Sequence, residues 1–185
     1  LPIHPLLGAL TPETGEAEWR WRNFLRVQDL DWMDGHQVQS QVVFPATGYL
    51  VMALEAACII ADQRPLQLVE IRDLTIDRAI TVPDNASGVE TLFTFYRTDN
   101  DNHKFTGAFT CQSSHDDDAF RCCASGRLEV TFGESDATLL PSLGPTASGL
   151  RSVDSGEFYQ KLDVLGYGYS GIFRTLHDIR RRKDI

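Results

Sequence analysis

The chain lacks a basic excess. Its 185 residues carry 17 lysines and arginines against 26 aspartates and glutamates, a formal net charge of -9, and phosphate backbones are held by clustered Lys and Arg. A nucleic-acid partner is therefore not expected. The one basic run, Arg180-Arg181-Arg182-Lys183, reads as a solvated strand edge. No apolar run reaches the roughly 20 residues of a bilayer-spanning helix, so no membrane span is expected. Residues 1–10 hold two prolines and no basic region, which does not fit a signal peptide.

Cysteine is also scarce. Cys58, Cys111, Cys122 and Cys123 show no CxxC spacing, and the adjacent pair must point to opposite faces of a strand. Neither a disulfide framework nor a zinc site follows, and reduced thiols fit an intracellular, cytoplasmic protein. There is no Gly-rich phosphate loop and no GxSxG elbow. His103 and His115 fall in polar turns, and His115-Asp116-Asp117-Asp118 reads as a solvated acidic turn rather than a metal site.

What is present is a core. With 42% hydrophobic and 23% charged residues, the composition is that of an ordinary globular protein. The chain is organised around residues 32–60, WMDGHQVQSQVVFPATGYLVMALEAACII. Here His36 precedes a β-rich run, residues 41–44, which stops at Pro45 and turns into a helix. From 49 to 60 the only charged residue is Glu55. A helix apolar on every side is expected to be wrapped by other structure.

The flanking elements are legible from period and turn chemistry. Residues 19–27, WRWRNFLRV, alternate as a half-exposed strand. Residues 66–82 read as one or two strands with a bend, and 89–97 with 104–112 form a hairpin around TDNDNH. A further strand covers 120–132, residues 133–150 are rich in Pro, Gly, Ser and Thr, and a short helix is predicted over 153–165 with Ser152 or Asp154 as N-cap. One long helix followed by several antiparallel strands is an α+β pattern.

Three segments carry a resemblance. His36, Ser40 and Pro45 stand at the spacing of the HxxxGxxxxP motif, His4-Pro5-Leu6-Leu7-Gly8 is similar to the HPLLG that opens the same domains, and residues 166–173, GYGYSGIF, resemble the GYGYSGPF element of their second half. The chain resembles the dehydratase domain of fungal highly reducing polyketide synthases, including polyketide synthase–nonribosomal peptide synthetase hybrids, over nearly its whole length. It departs from the pattern at Ser40, where glycine is usual, at Gly35, where many members carry aspartate, and at Ile172, where the element has proline.

The resemblance implies a hot-dog fold, an antiparallel sheet around a long helix, as the N-terminal half of a double hot-dog. Residues 1–133 would form the first repeat, 134–150 a linker and 151–185 the start of the second. It implies elimination of water from a β-hydroxyacyl thioester, with His36 as general base and an aspartate of the second repeat, beyond Ile185, as acid. Histidine suits the base because its neutral form is available near neutral pH. Substrate contacts are expected from Tyr169, Pro45, Gly48, Tyr49 and Ser40, and the backbone amides of residues 46–49, at a helix start that presents free N–H groups, are candidate donors to the thioester oxyanion.

No metal or cofactor is implied. The substrate would arrive on the phosphopantetheine arm of an acyl carrier protein, beside other synthase domains in a homodimeric parent. The alternative is a catalytically inactive, substrate-holding scaffold, which Ser40 and Ile172 favour. A thioesterase or product-template cyclase fits less well, because FPATGYLVMALEAA has the reducing-type wording and no second acidic residue is placed for hydrolysis.

Overall fold

The computed structural model describes residues 3–83, 87–114, 119–142, 144 and 148–182. The acidic turn at 115–118, Lys183 and part of the turn at 83–88 lie outside the described residues. In chain order the elements are β1 (Ala9–Leu10), β2 (Glu18–Leu25), β3 (His36–Val38), β4 (Gln41–Val42), α1 (Ala46–Ala61), β5 (Leu66–Ile76), β6 (Val89–Asn100), β7 (Lys104–Ser114) and β8 (Arg121–Phe132). They continue with β9 (Leu150–Ser152), α2 (Ser155–Val164), β10 (Tyr167–Tyr169) and β11 (Arg180–Arg182).

Six strands form one antiparallel sheet in the order β1-β2-β6-β7-β8-β5. Successive side chains of a strand point to opposite faces, and here one face is aromatic: Trp21, Phe93, Phe95, Phe105 and Phe109 are all buried. Phe93 stacks on Phe109 at 5.5 Å between ring centroids, and Trp21 tilts against Phe93 at 6.0 Å. The adjacent cysteines obey the same rule, Cys122 being exposed and Cys123 buried.

Helix α1 lies on this apolar face. Met52, Ala53, Ala56 and Ala57 are fully buried, and alanines spaced three and four apart share one side of a helix, which lets its backbone come close to the sheet. One antiparallel sheet around one long helix is the hot-dog arrangement expected. The expectation that α1 is wrapped on all sides is corrected: Thr47, Val51, Leu54 and Cys58 form an exposed stripe, with Val51 38% and Leu54 39% accessible. The sheet covers one side of the helix, and apolar composition alone does not say how many sides have neighbours.

The strands β6 and β7 run longer than the hairpin reading, to Asn100 and Ser114, and Asp101 closes their turn by accepting from the His103 and Lys104 N–H groups at 2.6 and 2.8 Å. β5 is a single strand, bent where Asp73 takes φ 52° and its register against β8 shifts. The opening segment is anchored by burial of Leu6 and Leu7 and by Asn23, whose side-chain amide donates to the Pro5 and Leu6 carbonyls at 2.8 and 3.0 Å. α2 is capped by Asp154, which accepts from the Glu157 N–H at 2.8 Å. The exposed β11 pairs with β9. Among the described residues no helix is long and apolar enough to cross a membrane.

Candidate active site

Two 3-10 turns, Val27–Asp29 and Met33–Gly35, carry the chain from β2 to His36 at the head of β3. β3 turns back into β4 over two residues, Gln39 and Ser40, with φ of 50° and 63°. Positive φ at both central residues suits the right-handed twist of a tight hairpin. That geometry gives a physical reason for glycine at position 40, since the left-handed region costs an L side chain about 1–2 kcal/mol. Ser40 is exposed in this turn. Ser40→Gly is therefore expected to stabilise the fold by about 0.5–1 kcal/mol, read as a raised midpoint in chemical denaturation; a lowered midpoint would show that the serine side chain contributes more than the strain it carries.

The hairpin aims the imidazole. The His36 Nδ1 lies 2.8 Å from the Val43 carbonyl oxygen, and the Val43 N–H donates back to the His36 carbonyl at 3.1 Å. A carbonyl only accepts, so Nδ1 carries the proton and Nε2 is the lone-pair nitrogen of the neutral ring. β10 then pairs along β3 with Tyr169 opposite His36. The rings of Tyr169 and Phe173 flank the imidazole at centroid distances of 5.2 and 5.1 Å, the first nearly parallel to it. The rings that stand against His36 thus come from Tyr169 and Phe173.

A cavity of about 210 Å³ opens at this point, lined by His36, Pro45, Ala46, Thr47, Tyr169 and Phe173. Pro45 is the N-cap of α1 and no side chain caps it. The first N–H groups of a helix have no partner within it and carry partial positive charge, so the first turn of α1 presents donors at the cavity wall.

The structure brings His36, Pro45 and Tyr169 together. Gly48 lies one step away, where a Cβ would come within 2.4 Å of the Phe44 ring; its lack of a side chain lets that ring pack on the helix. Tyr49 is buried with its ring edge-on to Phe44 at 5.1 Å, and burial pushes its phenol up from the ordinary value. Neither Tyr49 nor Ser40 lines the His36 cavity.

Several contributors carry no motif of their own. Phe173 is held by Tyr159, whose hydroxyl donates to the Phe173 carbonyl at 3.3 Å and accepts from the Leu176 N–H at 3.1 Å. Arg174 donates to the Tyr169 carbonyl and, at 3.0 Å, to Asp163. Tyr159, beside Phe158 in the short helix α2, is the one residue of that helix that is buried, which its sequence does not single out; the Val43 carbonyl leaves no trace in a sequence. Among the described residues no group of three His, Cys, Asp or Glu side chains is placed to hold a metal ion.

The sequence profile of the polyketide synthase dehydratase domain matches residues 4–108. The chain is 49% identical over 181 residues to a highly reducing polyketide synthase of Calcarisporium arbuscula, and 39% identical over 183 residues to a hybrid PKS-NRPS synthetase of Penicillium citrinum. These matches take in 98% and 97% of the chain but only 7% and 5% of the relatives' length. Among solved structures it superposes on the dehydratase domain from the CurF module of curacin polyketide synthase with a TM-score of 0.77 at 20% identity, covering 98% of this chain and 63% of that one. The dehydratase domain of PpsC from Mycobacterium tuberculosis gives 0.73 at 21% identity, with 98% and 60% covered. Both likenesses concern the fold.

Proposed function

This chain belongs to the polyketide synthase dehydratase domain family, and from that premise we propose that it supplies the general base for elimination of water from a β-hydroxyacyl thioester. The observation that carries the reading is the Nδ1 contact to the Val43 carbonyl. It fixes the tautomer and leaves Nε2 able to take a proton at a cavity wall. In the proposed reaction Nε2 removes the α-proton, the electron pair of that C–H bond forms the Cα=Cβ bond, and the C–O bond breaks. An acidic group protonates the departing hydroxyl, which leaves as water.

Negative charge gathers on the thioester carbonyl as the proton leaves, and donors fixed in advance stabilise it. The first-turn N–H groups of Ala46 and Thr47, beside the cavity, fill that role, and Tyr169 and Pro45 hold the substrate against His36. The acyl group is delivered on the phosphopantetheine arm of an acyl carrier protein, with neighbouring synthase domains in a homodimeric parent, and the elimination itself needs no metal or redox cofactor.

The alternative of an inactive scaffold draws on Ser40 and Ile172, but Ser40 falls in the exposed hairpin turn and neither residue lines the His36 cavity. The deciding experiment takes a protein that carries this chain together with the residues completing its dehydratase domain and supplies a 3-hydroxyacyl thioester of pantetheine. Enoyl thioester and water are the expected products. A folded protein that forms none would leave the scaffold.

A further inference from the structure

Two cavities each set a pair of arginines together, and they differ in what neutralises the charge. The larger, about 250 Å³, lies over the sheet where Arg72 and Arg127 stand directly opposite one another across β5 and β8. Like charges so placed repel, and here each has its own carboxylate: Arg72 donates to Glu70 at 2.9 Å, Arg127 donates to Asp73, and Glu129 lines the same cavity. The smaller, about 190 Å³, is built where three segments meet. Arg78, Ala79 and Thr81 follow β5, Ser113 and Ser114 end β7, and Ala119 and Arg121 lead into β8. Among the described residues no carboxylate lines it, and neither Arg78 nor Arg121 is paired with one.

We infer that the smaller cavity is a binding site for a phosphate group. Guanidinium forks meet phosphate oxygens in charge-assisted hydrogen bonds, and hydroxyls stand beside them, from Thr81 and from the buried Ser113, whose Oγ lies 3.1 Å from the Cys123 Sγ. A chain of net charge -9 repels anions at long range, so two arginines without carboxylates mark where one is accepted. The position ties the cavity to His36. Thr81 bridges Val43, and the Phe44 N–H donates to the Ile80 carbonyl at 2.9 Å, so the cavity backs the strand whose Val43 carbonyl orients the imidazole. Thr81 and His36 are two strand spacings apart, about 10 Å. An extended pantetheine arm is longer than that. The ligand is therefore either the phosphate of a substrate seated at His36, which rests on the elimination reading, or a free phosphate ion, which does not.

Inorganic phosphate is titrated into the protein that carries this chain with its completing residues, with chloride holding the ionic strength constant, and followed by the amide shifts of residues 78–81 and 121. A saturable shift is expected there. Arg78→Gln and Arg121→Gln are each expected to weaken phosphate at least about tenfold, the worth of a hydrogen bond between charged partners, while Arg127→Gln, on a guanidinium that Asp73 already holds, leaves it within about twofold. No saturable shift in the folded parent, or equal weakening by all three variants, overturns the inference. So does binding that appears only when Asp116, Asp117 and Asp118, between Ser114 and Ala119 in the sequence, are all replaced by asparagine, because those carboxylates then fill the place given to phosphate. The two sources part on the thioester. If the substrate carries the phosphate, KM for 3-hydroxybutyryl-phosphopantetheine is expected to lie at least about tenfold below that for 3-hydroxybutyryl-pantetheine, with kcat unchanged and the difference lost in Arg78→Gln and Arg121→Gln. Equal KM values with inorganic phosphate still bound assign the cavity to the free ion. Phosphate binding without turnover sinks the elimination and keeps the site; turnover without phosphate binding does the reverse.

Discussion

Replacing His36 by alanine is expected to lower dehydration by roughly 10²–10⁴-fold, the usual worth of a positioned general base, with KM for the thioester little changed. The side chain is half-buried and makes one hydrogen bond, to the Val43 carbonyl, so the stability lost is only about 1 kcal/mol. His36→Asn divides the two roles. Its amide N–H stands where Nδ1 stood and can still donate to Val43, but its carbonyl oxygen is far too weak a base to take an α-proton. The asparagine variant is therefore expected to regain most of the stability and none of the activity. If it dehydrates substrate at a rate near that of the parent, His36 positions substrate and another group takes the proton. Nitrogen-15 shifts of the imidazole add a check independent of turnover: at a pH where the ring is neutral, Nδ1 should show the protonated signature and Nε2 the lone-pair one. The opposite assignment would remove the basis for the mechanism.

Much of this arrangement is written locally in the sequence. The alternation of 19–27 marks β2, TDNDNH marks the β6–β7 turn, and Pro45 fixes where β-structure stops and α1 begins, because its ring forbids a preceding helical turn. The HPLLG segment is readable as an anchor, since Leu6 and Leu7 have no other use. What is not local is not legible. The left-handed pair Gln39-Ser40 contains no glycine to announce a tight hairpin, and the contact of Tyr169 and Phe173 with His36 spans more than 130 residues and leaves no period. The open stripe on α1 escapes for a further reason: hydrophobicity reports that a residue avoids water, not which segment will cover it.

Gly35→Ala is expected to cost about 1–3 kcal/mol of stability, as overpacking of a closed site does, and to lower kcat/KM at least about tenfold. Gly35 is buried, and its φ is not in the left-handed region, so conformational freedom is not what requires glycine here. Close approach is. The Ser170 N–H donates to the Gly35 carbonyl at 2.9 Å, and a Cβ on Gly35 would stand 2.7 Å from the Ser170 carbonyl oxygen and 3.2 Å from a carbon of the Phe173 ring. The first of these is backbone and cannot rotate away. The segment must retreat, and it carries both rings that flank His36. Gly35→Asp adds a carboxylate facing a carbonyl oxygen and is expected to cost more than alanine in both measures. Because the loss acts through the surroundings of the imidazole, the Gly35→Ala, His36→Ala double variant is expected to show no further drop in activity beyond His36→Ala alone, while the stability costs add in part. Unchanged activity and an unchanged unfolding midpoint in Gly35→Ala would mean that the second motif does not close on the histidine as described; a drop in stability with full activity would mean that the two rings pack there without serving the base.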